Sequence, residues 1–211
     1  MKLDTYLKLI FSISISIFIL LFSIKTTLNF KYLYYFDIKH LNIENSTSLS
    51  QKEIQITYDY LINYINGPQK QTFNIPTLNS SNEGKIHFLE VKNIFRKLNS
   101  MFFIFTIIGI LGALYTYKYK LFSIFNWTSN LLLFICLFAW IPFYVNFNKS
   151  FNFFHETIFK NNYWLFDPNK DPVINILPEK YFFHCAISII LITLTGSLLL
   201  KILYLKNRNG K

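Results

Sequence analysis

Cysteine, glycine and proline are scarce in this 211-residue chain, which has two, six and six of them. Both cysteines, Cys136 and Cys185, fall within apolar segments, so no disulfide framework is indicated. The sequence has no Gly-x-Ser-x-Gly elbow, which argues against a Ser-His-Asp hydrolase. It also has no His-x-x-x-His or Glu-x-x-His pair, the spacings typical of metal ligands on one helix.

Acidic residues are also few, with 11 Asp and Glu against 21 Lys and Arg, for a net charge of +10. The basic residues are scattered along the chain, which argues against a nucleic-acid partner. Hydrophobic residues make up 52% of the chain and are concentrated in long uninterrupted runs. This composition indicates an integral membrane protein.

Four apolar runs are long enough to cross a bilayer. The first lies between Lys8 and Lys25, whose long side chains can extend to the interface. No small-x-small cleavage site follows it, which favours an uncleaved helix over a signal peptide. We therefore predict an all-α integral membrane fold with four transmembrane helices in a single membrane domain, 1–211. The expected spans are about 9–27, 98–117, 127–146 and 181–203.

The positions of lysine and arginine predict how the chain is oriented. The N-terminal segment, the connection with Lys118 and Lys120, and the tail are basic, whereas residues 146–180 have four lysines and four acidic residues. We expect cytoplasmic N- and C-termini and extracytoplasmic segments at 28–97 and 147–180. This outer region is expected to be mostly helical, starting from a Ser-x-x-Glu capping box at residues 50–53.

The segment before the last span concentrates polar side chains. His155 borders an apolar stripe with helical spacing, which is typical of a short helix at the bilayer interface. Two Asp-Pro pairs, beginning at Asp167 and Asp171, favour turns after that helix. A second histidine, His87, lies on a predicted helix over 86–98 that leads into the second span.

Histidine both accepts and donates a proton near neutral pH. His87 and His155 are expected on the same face of the bilayer, where they can divide general base and general acid work. A single histidine at an interface is typically an amphipathic anchor, and we interpret His40 and His184 in this way. A metal site is a further interpretation of His87, supported only by Glu90 three residues later.

Three features follow one another in order along nearly the whole chain. A large first outer region ends in His87-Phe-Leu-Glu-Val-Lys92 before a span, and a second outer loop has Phe154-His155 followed by Trp164-Leu-Phe-Asp-Pro168. Asp171-Pro172 and Pro178 complete the pattern. These segments resemble the bacterial lipoprotein intramolecular transacylases. Glu90 stands where many relatives have Asp, and Gly84 stands where some members have an acid.

The resemblance implies an acyltransferase whose substrate is a diacylated lipoprotein, with diacylglycerol thioether-linked to its N-terminal cysteine. The enzyme would move the sn-2 acyl chain to the cysteine α-amine and so produce a lyso-form lipoprotein. It would need no cofactor, metal or acyl-CoA, because donor and acceptor lie in one molecule. We expect a monomer in the bacterial plasma membrane, in contact with membrane lipid, with its active site on the extracytoplasmic face.

His87 and His155 are the expected catalytic pair. The amine must be neutral to attack, so one histidine removes its proton and the other protonates the glyceryl oxygen. The sequence does not decide between them, and we take His87 as base and His155 as acid. Trp164 is also typical of an interface anchor, and Asp167 and Asp171 of turns. The expected substrate-positioning residues are Tyr58, Glu90, Lys92, Asn162, Trp164, Asp167 and Asp171.

Three other classes of function remain open from the sequence. The first is a non-catalytic polytopic membrane subunit that binds a partner protein through its outer region. The second is a transporter or channel, which the near absence of ionisable residues inside the spans disfavours. The third is a metal-dependent hydrolase on the outer face, which would lose its activity on exhaustive chelation.

Overall fold

The computed structural model describes residues 2–208 and their side chains from residue 4 onward, and this part of the chain contains helices and no strand. Its α-helices are α1 (Lys2–Asn29), α2 (Lys31–His40), α3 (Gln51–Asn66), α4 (Asn82–Tyr119), α5 (Ser123–Val145), α6 (Phe147–Ile158) and α7 (Glu179–Asn207). Short 3-10 helices occupy Ile43–Ser46 and Pro172–Ile176. By length and composition α1, α4, α5 and α7 can cross a membrane, which confirms the predicted fold class with four spanning helices.

The described residues divide into two compact units. The first combines the chain up to Thr27 with Leu98–Tyr144 and with the residues from Ile187 onward. The second combines Leu28–Lys97 and Val145–Ala186, and it contains every predicted site residue. The expected single membrane domain and its span boundaries stay predictions.

Small and hydroxyl-bearing residues join the apolar helices of the first unit. The hydroxyls of Ser23 and Thr193 lie 2.9 Å apart and are buried. A Cβ atom at Gly112 would come within 2.9 Å of the Phe11 ring, so α1 and α4 approach closely there. Such contacts are typical of helix packing inside a bilayer. Large side chains on the outside of this unit, such as Phe138 at 70% exposed, suit a lipid environment.

Helix α3 lies in the hydrophobic core of the second unit. Its predicted capping box is confirmed, since the Ser50 hydroxyl accepts from the Glu53 backbone N–H and the Ser50 N–H donates to Glu53 Oε2 at 2.8 Å. The helical stripe behind this cap is buried, with Ile54, Tyr58 and Leu61 at most 3% exposed. The sequence pattern therefore located both the start and the inner face of this helix.

Asp171 fixes the start of α4, the helix that carries His87. The Ser81 hydroxyl accepts from the Gly84 N–H at 2.9 Å and donates to Asp171 Oδ2 at 2.6 Å. The Ser81 N–H donates to Asp171 Oδ1 at 2.8 Å. A Cβ atom at Gly84 would collide with this carboxylate, so the position accepts only glycine without rearrangement. An acidic side chain at position 84 would displace Asp171.

We expect Gly84→Ala to lower the melting temperature of the protein in detergent. The added methyl group displaces the Asp171 carboxylate and breaks its hydrogen bonds to Ser81, a loss of about 1–2 kcal/mol. Lys85→Ala is the matched control, because the Lys85 side chain on the same turn is exposed. Equal melting temperatures for the two variants would contradict the close approach of Asp171 to α4.

Candidate active site

His87 lies on the charged first part of α4, ahead of the uncharged run 98–117 that is long enough to span. It is therefore outside the membrane-spanning segment. Its side chain is 6% exposed and packs against the rings of Phe159 and Phe166, at centroid distances of 4.7 and 5.3 Å. Burial, and secondly the nearby His155, lowers the pKa of His87 to about 4. The imidazole is consequently neutral at physiological pH.

His155 lies on α6 with one ring nitrogen fixed. Its ring stacks on Trp164 at a centroid distance of 5.0 Å. Its Nδ1 lies 2.7 Å from the Phe151 carbonyl oxygen, which can only accept, so Nδ1 carries the proton. The lone pair of the neutral ring is then on Nε2. Burial lowers the pKa of His155, and the hydrogen bond to Phe151 partly opposes this effect.

The structure brings the two predicted catalytic histidines together. The ring centroids of His87 and His155 lie 6.3 Å apart. At this separation a positive charge on one imidazole disfavours protonation of the other. The pair therefore does not hold two added protons near neutral pH.

Buried polar atoms without a hydrogen-bond partner are concentrated among the predicted site residues. Residues 4–208 contain five such side-chain atoms, and four of them are His87 Nδ1, Glu90 Oε2, Lys92 Nζ and Trp164 Nε1. The fifth is Ser80 Oγ. Buried polar atoms in folded proteins are nearly always paired. Four of the five atoms thus belong to residues that the sequence analysis assigned to the site.

Glu90 connects α4 to the loop that carries Trp164. It follows His87 by three residues on the helix, so the two side chains share a face. Glu90 Oε1 accepts from Asn161 Nδ2 at 2.8 Å, and Asn161 Oδ1 accepts from the Tyr163 N–H at 3.0 Å. The sequence analysis did not single out Asn161, because no local pattern relates it to a residue 71 positions earlier.

Two predicted positioning residues lie in the core of the second unit. The Tyr58 hydroxyl is 2.6 Å from that of Tyr181, and the Tyr58 ring stacks on Tyr34 at 3.8 Å. Lys92 is fully buried, with Nζ 3.9 Å above the centre of the Tyr64 ring. Burial lowers the pKa of Lys92. The described ring and hydrogen-bond contacts of Tyr58 and Lys92 are thus with tyrosines of the core.

The remaining predicted positioning residues lie in the loop after α6. Asn162 is exposed, and Asp167 forms a turn in which its backbone oxygen accepts from the Asp171 N–H at 2.8 Å and its Oδ1 accepts from the Asn169 N–H at 3.0 Å. Asp171 is 4% exposed, and both of its carboxylate oxygens accept hydrogen bonds from Ser81. The aspartates therefore form turns and a helix cap, and contact with substrate stays a prediction for them.

His184 has a partner that the sequence analysis missed. Its Nδ1 lies 2.8 Å from Asp37 Oδ2, and Asp37 is fully buried. The ring of the exposed His40 lies 5.9 Å from the ring of His184, measured between centroids. No spacing in the sequence connects Asp37 with His184, so only the fold shows this pair.

Residues 4–208 contain no group of three or more His, Cys, Asp or Glu side chains placed to hold a metal ion.

The pKa of His87 predicts how stability depends on pH. Its ordinary value of 6.5 applies to the unfolded chain, and the folded value is about 4. Between these values the unfolded state binds a proton that the folded state does not. The contribution of His87 to the free energy of unfolding is therefore highest above pH 6.5. It decreases as the pH falls towards 4, by up to about 3 kcal/mol.

We expect His87→Gln to have a weaker decrease of melting temperature between pH 7 and pH 4.5 than the wild type, measured in detergent. His155 titrates in the same direction, so part of the decrease is retained. His40→Gln is the matched histidine control, because the His40 side chain is exposed. A wild-type slope in His87→Gln would show that His87 is not held neutral by burial.

Comparisons with known proteins show the family to which this chain belongs. The family model described as lipoprotein intramolecular transacylase Lit matches residues 9–182. A search of curated proteins finds no match. The solved in meso structure of the membrane-integral lipoprotein intramolecular transacylase Lit from Bacillus cereus is 36% identical, with a TM-score of 0.96, and the match covers 99% of this chain and 97% of that chain.

Two variants of the Bacillus cereus protein with one histidine replaced are also similar. The arginine variant is 35% identical with a TM-score of 0.89, covering 99% of this chain and 93% of that one. The alanine variant is 36% identical with a TM-score of 0.88, covering 100% and 97%. Because both the family match and the structural similarity extend over most of the sequence, the chain belongs to the lipoprotein intramolecular transacylases, which are membrane-integral acyltransferases.

Proposed function

We propose that this enzyme moves the sn-2 acyl chain of an S-diacylglyceryl cysteine to the α-amino group of the same cysteine. The product is a lyso-form lipoprotein. The observation that carries this proposal is the pairing of His87 and His155, 6.3 Å apart within a group of aromatic rings. Because donor and acceptor are already tethered, the enzyme needs to orient them and to transfer protons.

The reaction balances without a cofactor. The α-amine nitrogen attacks the carbonyl carbon of the sn-2 ester, and the new C–N bond gives a tetrahedral intermediate. The C–O bond to glycerol then breaks, the nitrogen loses a proton, and the glyceryl oxygen gains one. An ester and an amine become an amide and an alcohol. No acyl-enzyme is required, which is consistent with the missing nucleophile motif.

In this proposal His155 is the base and His87 the acid, the opposite of the assignment taken from the sequence. His155 Nδ1 is committed to the Phe151 carbonyl, so Nε2 is free to accept the proton of the amine. The resulting imidazolium keeps its hydrogen bond to Phe151. His87 is neutral and gives its N–H proton to the departing glyceryl oxygen. It then recovers a proton from His155, whose ring is its neighbour.

The negatively charged oxygen of the tetrahedral intermediate needs hydrogen-bond donors. We propose Trp164 for this role, because its indole Nε1 is buried without a partner in the described residues while its ring stacks on His155. The other predicted positioning residues are proposed to hold the site in shape or to contact the substrate. They are Tyr58, Glu90, Lys92, Asn162, Asp167 and Asp171.

The proposed site faces the extracytoplasmic side of the bacterial plasma membrane, and the N- and C-termini are cytoplasmic. The distribution of lysine and arginine supports this orientation. The acyl chains stay in membrane lipid, and the enzyme works as a monomer without a nucleic-acid partner. A diacylated lipoprotein reaches such a site by diffusing in the plane of the bilayer.

The reaction can be tested in a bacterium whose lipoproteins remain diacylated. Expression of this chain is expected to move one acyl group from glycerol to the α-amine at constant total mass, as read from an N-terminal lipopeptide by tandem mass spectrometry. His87→Ala and His155→Ala should each lower the lyso-form yield about a hundredfold or more, since each removes a proton-transfer group. His40→Ala is the histidine control, because His40 is exposed.

Each variant is compared at equal membrane expression. An unchanged diacyl peptide in cells with well-expressed wild-type protein would contradict the proposed transfer. Full yield from either His87→Ala or His155→Ala would leave the transfer intact and contradict the paired histidine mechanism.

A further inference from the structure

One carboxylate oxygen of Glu90 accepts a hydrogen bond, and the other has no hydrogen-bond partner among the described residues. Oε1 accepts from Asn161, whereas Oε2 is buried and has no hydrogen-bond partner in the described part of the chain. A buried carboxylate oxygen that lacks a donor is costly for the folded state. The expected occupant of this position is therefore a ligand with N–H donors.

The free oxygen also lacks a cation. Two ion pairs among the described residues join Lys31 to Asp59 and Asp37 to His184, and Glu90 takes part in neither. Lys92, two residues later, holds Nζ over the Tyr64 ring. The described hydrogen-bond partner of Glu90 is the neutral amide of Asn161, and His87 lies one turn earlier on the same helix. A positively charged group of a ligand would therefore give this carboxylate an ion pair that the described residues do not form with it.

We propose that Glu90 Oε2 receives the α-ammonium group of the lipoprotein's N-terminal cysteine, with Asn161 as the residue that positions the carboxylate. This inference rests on the proposed function and assigns the recognition of its nucleophile. The ordinary pKa of an α-amine is about 8, so most of the substrate arrives protonated at neutral pH. An ammonium group and a carboxylate form charge-assisted hydrogen bonds, the strong class among such contacts.

His87 and Glu90 are three residues apart on α4, so the bound nitrogen would lie on the helix face that carries His87. There the ammonium group loses one proton to solvent to become the attacking amine. Its second proton leaves during the transfer and ends on the glyceryl oxygen. The amide product has no charge on nitrogen and loses its attraction to Glu90. The same carboxylate therefore selects substrates with a free amine and favours release of the N-acylated product.

The test uses two unreactive lipopeptides in which ether links replace both acyl esters, one with a free ammonium group and one N-acetylated. At pH 7, wild-type protein in detergent should bind the ammonium lipopeptide about ten- to hundredfold more tightly than the N-acetylated one, as expected for hydrogen bonds between charged groups. Glu90→Gln should lose most of this preference, and Asn161→Ala should lose part of it. Glu44→Gln, at an exposed glutamate, should retain it.

Steady-state kinetics with a diacylated lipopeptide give an independent readout. Glu90→Gln should raise KM at pH 7 with little change in kcat, and the difference from wild type should shrink near pH 9.5, where the amine is neutral. A fall in kcat at unchanged KM would contradict the inference. Equal binding of the two ether lipopeptides by wild-type protein would also overturn it, even if Glu90→Gln does not fold. Conversion of the diacylated lipopeptide by the wild type tests the proposed function separately.

Discussion

The enclosure of two imidazole rings by aromatic side chains is the constraint on which the site depends. His87 packs against Phe159 and Phe166, and His155 stacks on Trp164. Removing the rings from water lowers the pKa of both histidines. A pair kept neutral in this way can accept the proton of an amine, whereas a solvated pair near its ordinary pKa would be partly protonated beforehand. The aromatic surroundings also suit an acyl chain, since they present little polar surface.

The enclosure is maintained by contacts at the ends of the elements that carry the histidines. Asp171 caps the start of α4 through Ser81, and Asn146 caps α6, since its side chain accepts from the Lys149 N–H. The Asn161 amide joins α4 to the loop after α6 through Glu90. The hydrogen bonds of Asp171 and Asn161 are long-range links between segments that the apolar spans separate in sequence.

Features that depend on local periodicity were predictable from the sequence. Four long apolar runs, the capping box at Ser50 and the turns at Asp167 all follow from residues close together in the chain. Order and spacing also pointed to the two histidines as a pair. The Asp37–His184 contact and the bond from Asn161 to Glu90 join residues 147 and 71 positions apart, so no local pattern reveals them. Lys92 in the core was equally hidden, because a lysine on a helix is normally expected in solvent.

The protonation states of the two histidines can be observed directly. Imidazole nitrogen-15 NMR of the protein in detergent, titrated from pH 8 to pH 4, reports which ring nitrogen carries a proton. We expect His155 to be neutral at pH 7 with its proton on Nδ1, and His87 to remain neutral down to about pH 4. A protonated His87 at neutral pH, or a neutral His155 with its proton on Nε2, would contradict the neutral-pair mechanism.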